Sequence, residues 1–488
     1  MNHRQAALLN DLARQAMIER GLHPDFPKDA IQQVEAIPRA ARDQSPEVRD
    51  MREQAWCSID NDDSRDLDQL SYAEAAGHGH VKIFVAVADV DSLVKKESPV
   101  DGHAGHNTTS VYTAARIFPM LPEKLSTDLT SLNEHEERLA VVAEITVRDD
   151  GVVSEGDVYR ALVYNHARLS YNRVASWFDG KDDMPEKVQR VRGLADTLKM
   201  QDTISDRMRE HRHEMGALDL ETIEARPVIV DGQVVEMKRE QRNSARMLIE
   251  DFMIAANGAT ARFLERRGFS SIRRVVRSPQ RWDRIEKIAE EVGERLPPEP
   301  DAQALEQFLT RRRKADPIRF PDLSISVVKA MGAGEYVLER AGEDSGGHFG
   351  LAVKDYAHST APNRRYPDLI TQRLVKAALA GQPAPYSDAE LSQLADHCTN
   401  QEDAANKVER QVRKSAAAAL LQSRIGERFD GIVTGASSKG TWVRVFNPPV
   451  EGKLVKGSGG LDLGDRVSVK LLSADIERGF IDFARTRR

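Results

Sequence analysis

Apolar residues recur at helical spacing over the first twenty positions (Ala7, Leu8, Leu12, Met17, Ile18), and the run stops at Gly21. A His-Pro-Asp-Phe-Pro connector follows and leads into a second short helix near 29–37. The pair admits a helix-turn-helix; a helical cap on the next domain is preferred, because helix pairs are a degenerate signal. From about residue 50 the pattern changes to β-type runs at Val81–Ala88, Leu139–Val147 and Val158–Tyr164. Long helical stretches then dominate around 185–212, 241–267, 283–295, 365–380 and 388–424. Strands first and helices after predict an α+β domain. The last segment changes once more, into short strands at Phe429–Thr434, Thr441–Phe446, Arg466–Leu472 and Gly479–Phe483 between Gly, Ser, Asn and Pro turns. That pattern sketches a small five-stranded all-β barrel with one strand unplaced. The expected division is a helical region 1–49, an α+β domain 50–424 and a barrel 425–488.

Composition narrows the classes. Among 488 residues, 40% are apolar and 30% charged, which supplies a large core and excludes disordered and collagen-like chains. The net charge of −7, from 70 Lys and Arg against 77 Asp and Glu, does not announce a nucleic-acid partner. Local charge is uneven: residues 51–150 carry 19 acids against 9 Lys and Arg, whereas Arg262–Arg284 holds eight arginines. Alone, such an arginine run reads as a solvated helix face; beside a barrel with Phe429, Trp442, Phe446 and Phe480 it also fits a phosphate track. Cys57 and Cys398 form no CxxC, so a disulfide framework and a cysteine zinc site are both unsupported, and a reducing cytoplasm fits best. The longest apolar runs are six residues, too short for a membrane span or a signal-peptide core.

The densest chemistry lies in Asp60-Asn61-Asp62-Asp63-Ser64-Arg65-Asp66-Leu67-Asp68-Gln69. Five carboxylates in nine residues raise one another's pKa unless solvent or a cation screens them. A solvated turn is the plain reading. A calcium EF-hand loop fails, because Arg65 stands at its sixth position and Ser71 at its twelfth. What remains is a loop after a short strand at Trp56–Ile59, with Asp60, Asp66 and Asp68 placed for Mg²⁺ or Mn²⁺, cations that take their other ligands from water and substrate phosphate. A second constellation is His348-Phe349-Gly350-Leu351 followed by Tyr356-Ala357-His358-Ser359-Thr360-Ala361-Pro362-Asn363-Arg364-Arg365-Tyr366-Pro367-Asp368. Its Pro-Asn turn is expected to set Arg364 and Arg365 at the start of a helix, where they act either as an ordinary cap or as a phosphate fork. A P-loop, a zinc site at His103 and His106 and a nucleophilic serine elbow all lack their required residues.

Together these motifs, with Val85-Ala86-Val87-Ala88-Asp89, Pro119-Met120-Leu121-Pro122 and Met253-Ile254-Ala255-Ala256-Asn257 in the same order, resemble the RNB family of ribonuclease II and ribonuclease R type 3′→5′ exoribonucleases. The following barrel resembles an S1 domain of OB fold. The resemblance implies that Asp60, Asp66 and Asp68 bind Mg²⁺, or Mn²⁺ in its place, and carry catalysis, with Arg364 on the scissile phosphate and Arg365 beside it. It implies that Tyr112 clamps the last nucleotide and that Tyr171 and Glu409 contact ribose and base. Hydrolysis of single-stranded RNA to nucleoside 5′-monophosphates follows, without an organic cofactor. Three departures stand out. Gln69 replaces the usual fourth Asp, Leu220 lies where the partner aromatic of the terminal sandwich is found, and fewer than 60 mostly helical residues precede the acidic loop, where cold-shock barrels are usual. Two other classes remain: a non-catalytic RNA-binding relative, and an enzyme acting on DNA or a small phosphodiester.

Overall fold

The run Ile83–Ala88 is apolar without alternation because it forms the middle strand of a sheet covered on both faces. The computed structural model describes residues 2–221, 225–239, 242–279, 281–343, 346–437, 440–461 and 464–486. Across the seven-stranded sheet the order is Val48–Asp50, Val153–Tyr164, Glu137–Val147, His80–Ala88, Gln69–Gly77, Cys57–Asp60 and Ala167–Ser170. The two edge strands run parallel to their neighbours, and all other pairs are antiparallel. Ile83, Val85 and Val87 pack under the helices Tyr171–Phe178, Leu194–Glu214 and Ser244–Arg266. Phe84, Ala86 and Ala88 face the other way, toward helix Tyr366–Leu379 and the start of helix Asp388–Leu421. The register sets Asp60 beside Ser170 and Gln69 beside Val87, so the acidic loop and Tyr171 emerge from the same end of the sheet.

Helix Asp388–Leu421 opens with a Ser387/Glu390 capping box and runs for 34 residues, about 50 Å at the usual rise. Leu391, Ala395 and Cys398 join the core of the sheet domain, Val408 and Val412 pack midway, and Ala417, Ala418 and Leu421 enter the barrel core. The barrel strands Arg428–Ser437, Gly440–Val445, Val450–Lys456, Arg466–Asp475 and Phe480–Arg485 close on themselves, and Val450–Lys456 is the strand the sequence leaves unplaced. Its third and fifth strands pair parallel, as an OB fold requires. Phe429 is a core residue, whereas Phe446 and Phe480 are exposed. Arg444 leaves the barrel to grip Asp322 of helix Phe320–Met331 with both terminal nitrogens, at 2.9 and 3.1 Å, where Asp322 is buried and Arg444 partly so.

Several expectations shift. The stretch 185–212 is two helices, Glu186–Arg190 and Leu194–Glu214, because Gly193 takes φ +79° between them. The stretch expected to be helical over 241–267 is helix Ser244–Arg266, and Gln241 lies outside the described residues. Helix Tyr366–Leu379 begins after Arg364 and Arg365, with Pro367 in its first turn. The arginine run is divided rather than striped: Arg273 is buried on Glu339, and Arg274 and Arg277 pair with Glu402 and Glu335. The first two helices go to different partners. Asn2–Glu19 lies on the long helix through Leu9, Ala13, Ala16 and Met17, while Lys28–Glu35 buries Ala30 and Val34 in the sheet domain, so they are a cap and not a helix-turn-helix. Among the described residues no helix is long and apolar enough to cross a membrane.

The cap is joined to helix Pro99–Asn107 by imidazoles. His23 stacks on His106 at 3.7 Å between centroids, and His103 is buried beside Phe26, His23 and His106, with Asn107 Nδ2 at 3.3 Å from its Nε2. Burial and the two neighbouring imidazoles push His103 down to about 4. A folded pKa below the unfolded value contributes stability above pH ~6.5 that is lost as pH falls toward the folded value. The melting temperature should therefore fall between pH 7 and pH 5, and His103→Gln should flatten that limb; a slope unchanged by the substitution would place the acid sensitivity elsewhere.

Candidate active site

The acidic loop hangs between two strand ends and is tied down by backbone contacts. Asp60 closes strand Cys57–Asp60, and its Oδ1 accepts from the Asn61 N–H at 2.7 Å and the Ser64 hydroxyl at 2.9 Å, which closes the start of the loop. Arg168 donates to the carbonyls of Asp62 and Ser64, and Ser131 links the Leu67 N–H to the Arg65 carbonyl. Leu67 and Asp68 then turn inward. Asp68 is 1% exposed; its carboxylate accepts from the Asn363 N–H at 3.0 Å and from Arg364 Nε at 3.1 Å.

Asn363 and Arg364 can reach Asp68 because the Pro362-Asn363 turn is itself braced. Arg365 N and Arg364 N donate to the Ala361 carbonyl, and the Asn363 side chain accepts from Thr130. Asp368, fully buried in the first helical turn, accepts from the Ala361 N–H at 2.8 Å and from Arg365 Nη2 at 2.7 Å. Two motifs distant in sequence also meet here, since Asn257 accepts from Ser359 N and Oγ, each at 2.9 Å, and faces the Tyr356 hydroxyl at 3.3 Å. The sequence-based pairing of Arg364 with Arg365 as one fork is therefore divided: Arg364 faces the acidic loop, and Arg365 turns inward to Asp368.

Tyr112 approaches from a hairpin. Its hydroxyl donates to Asp66 Oδ2 at 3.2 Å, its N–H donates to Glu409 Oε1 at 2.8 Å, and its ring is 40% exposed. Tyr171, first residue of its helix, lies next to Asp60 with the Arg246 guanidinium 4.9 Å above its ring. Asp60, Asp66, Asp68, Arg364, Tyr112 and Glu409 thus form one connected group with Tyr171 at its side. Leu220 packs toward Trp282, Ile285 and Phe308 in a satellite core. Arg246, which also donates to the Asn61 side chain, and Arg168 are contributors that sequence reading passes over. Both are single arginines outside any motif, and only the register and the helix crossing reveal them.

Electrostatics follows from burial. Desolvation raises Asp60, with Asp66 adding repulsion, against the Asn61 and Ser64 hydrogen bonds and Arg364. Asp68 is pushed up to about 7 by burial, with Arg364 opposing and Asp66 and Asp368 adding to the rise. Arg364 loses solvation yet is raised on balance by Asp68 and its acidic neighbours, so it stays charged. Burial raises the phenols of Tyr112 and Tyr171 and keeps them neutral. Among the described residues no three acids, histidines or cysteines form a ready-made cation cage. The donor chemistry nonetheless suits a hard divalent ion, since mutually repelling carboxylates gain from a cation that keeps water and phosphate among its ligands.

Residues 48–381 match the RNB domain family, and residues 427–486 match the RNase II-type exonuclease C-terminal S1 domain. Ribonuclease R of Aquifex aeolicus is 32% identical over 95% of this chain and 68% of its own length. Ribonuclease R of Escherichia coli is 30% identical over 94% of this chain and 60% of its own, so the chain spans about two thirds or less of these relatives. Among solved structures, Mycoplasma genitalium RNase R in complex with ribose methylated single-stranded RNA superposes with a TM-score of 0.87 at 24% identity, covering 98% of this chain and 78% of that one. Yeast Ssd1, a pseudonuclease, shares the fold at a TM-score of 0.71 and 16% identity, over 96% of this chain and 57% of its own. With its RNB match spanning more than half its length and its acidic loop, Arg364 turn and S1 barrel assembled as described, the chain belongs to the RNB family.

Proposed function

We propose that this protein is a metal-dependent 3′→5′ exoribonuclease that hydrolyses single-stranded RNA to nucleoside 5′-monophosphates. The observation that carries the reading is Asp68, buried and held between the Asn363 N–H and Arg364 beneath the half-exposed ring of Tyr112. The bond to Asp68 uses Nε, which leaves the terminal nitrogens of Arg364 to hold the scissile phosphate. Tyr112 stacks on the last base; every base has a π-face, so the platform tolerates any sequence. Tyr171 and Glu409 line the ribose and base, where a contact to the 2′-hydroxyl distinguishes RNA from DNA. Arg365 acts with the phosphate fork through the turn it anchors on Asp368.

Asp60, Asp66 and Asp68 would hold Mg²⁺, or Mn²⁺ in its place, together with water and substrate phosphate; the ion supplies an activated water and offsets charge on the phosphate. The working parts divide as a helical region 1–49, a catalytic domain 50–424 and an RNA-binding barrel 425–488, where the exposed rings of Phe446 and Phe480 and the Trp442–Lys453 pair offer stacking surface. The absence of a disulfide, with both cysteines buried and free, suits the cytoplasm.

Asp68→Asn should lower hydrolysis of a labelled RNA oligomer more than about 100-fold while leaving its affinity within a few-fold, because polymer binding is spread over channel and barrel. The assay compares Mg²⁺, Mn²⁺ and EDTA, and includes a matched DNA. Wild-type turnover in the variant would remove Asp68 from the catalytic set. Gln69→Asp tests the neutral fourth position. Gln69 is buried beside Val87 at the strand start, so an added carboxylate should reduce the metal concentration needed for half-maximal rate several-fold, at some cost in metal-free stability. If the wild type is inactive at every metal concentration and Gln69→Asp creates activity, the protein is an RNA-binding relative and not a nuclease.

A further inference from the structure

Tyr112 stands on a support too small to hold itself. Strands Val111–Tyr112 and Ile117–Phe118 are two residues each, and an isolated hairpin of that size has no independent stability. Period two sends Tyr112 out toward Asp66 and sends Val111 and Phe118 in, where they are 0% and 2% exposed. The pocket that receives them has two sources. One wall is the long helix, through Ala405, Val408 and Val412; the other is the N-terminal region, through Ala13, Ala16, Met17 and Leu22. Glu409, next to Val408, takes the Tyr112 N–H at 2.8 Å, so the long helix holds the hairpin by a hydrogen bond while the N-terminal helix shares its apolar cluster.

We propose that helix Asn2–Glu19, acting chiefly through the buried Met17, positions the Tyr112 ring and thereby sets how tightly the enzyme holds short RNA 3′ ends. This rests on reading Tyr112 as the terminal-nucleotide platform. Met17 is fully buried in the same apolar cluster as Val111 and Phe118, so its truncation opens space in the cluster into which the hairpin can sink. The Tyr112 hydroxyl then leaves Asp66, and the ring no longer meets the base squarely. Long RNA keeps its upstream contacts along the channel and barrel, whereas an RNA of about five nucleotides depends on the site alone. Met17 is a positioning residue: it acts through Tyr112 and touches no substrate.

The test is a double-mutant cycle on the full chain with a 5-nucleotide and a 25-nucleotide RNA. Affinity is measured in EDTA, and KM, kcat and final product length in Mg²⁺. Met17→Ala should weaken binding of the short RNA about tenfold and raise its KM alike, leave the long RNA within about twofold, and lengthen the final product. Met17→Leu should restore wild-type values. Ile18, half exposed on the same helix, serves as the control, and Ile18→Ala should change nothing. In a Tyr112→Ala background Met17→Ala should have no further effect, because the two act as one unit. Where Met17→Ala fails to fold, Met17→Val carries the same comparison. Equal losses on short and long RNA, or an undiminished effect in the Tyr112→Ala background, would show that the helix is a stabilising cap only. A wild type that binds the short RNA in EDTA yet never cleaves it would overturn the exonuclease reading and leave the positioning role to be decided by the affinities.

Discussion

Asp68 is almost wholly buried, and its carboxylate is shared by a backbone N–H and a guanidinium from a segment 296 positions further along the chain. A buried carboxylate without partners is costly, and Asp68 is the buried member of this pair, since the Arg364 side chain is 41% exposed. The acidic loop and the Pro362–Arg365 turn are therefore obliged to meet. The sheet domain delivers Asp68 at one strand start, and the braced turn delivers Arg364. The inward turn of Arg365 onto Asp368 belongs to the same constraint, since it anchors the turn that presents Arg364.

The long helix Asp388–Leu421 extends this arrangement across the molecule. One face holds the sheet-domain core, its middle carries Glu409 to the Tyr112 hairpin, and its end is built into the barrel. At about 50 Å, this one helix reaches from the sheet-domain core to the barrel. The Arg444–Asp322 pair closes the connection from the other side. The barrel and the acidic loop are thus joined through one helix and one ion pair.

Neutral and charged groups are sorted by the same burial. Tyr112 and Tyr171 stay protonated as phenols chiefly because burial disfavours their charged form, with Asp66 and Asp68 adding to this at Tyr112 and Asp60 at Tyr171. Arg364 stays charged for the complementary reason. Positive charge, hydrogen-bond donors and carboxylate oxygens are gathered within one short loop and one turn.

The apolar run Ile83–Ala88, the turn-rich C-terminal strands and the ordered motifs from Asp60 to Asp368 were legible in the sequence, because period and residue type are local properties. They determined the α+β class, the barrel and the identity of the acidic and arginine groups. Three things were not legible. Arg364 and Arg365 are identical neighbours, and only packing against Asp68 and Asp368 gives them different directions. Arg246 and Arg168 sit in no motif, and the helix crossing and strand register bring them to the loop. The eight arginines of 262–284 look like one stripe in sequence, yet Arg273 goes to the interior because Glu339 on the paired strand waits for it. The amino-acid order decides which groups exist and what local structure they favour; which groups touch is decided by long-range burial, since a charge leaves water only where a partner from a distant segment compensates it.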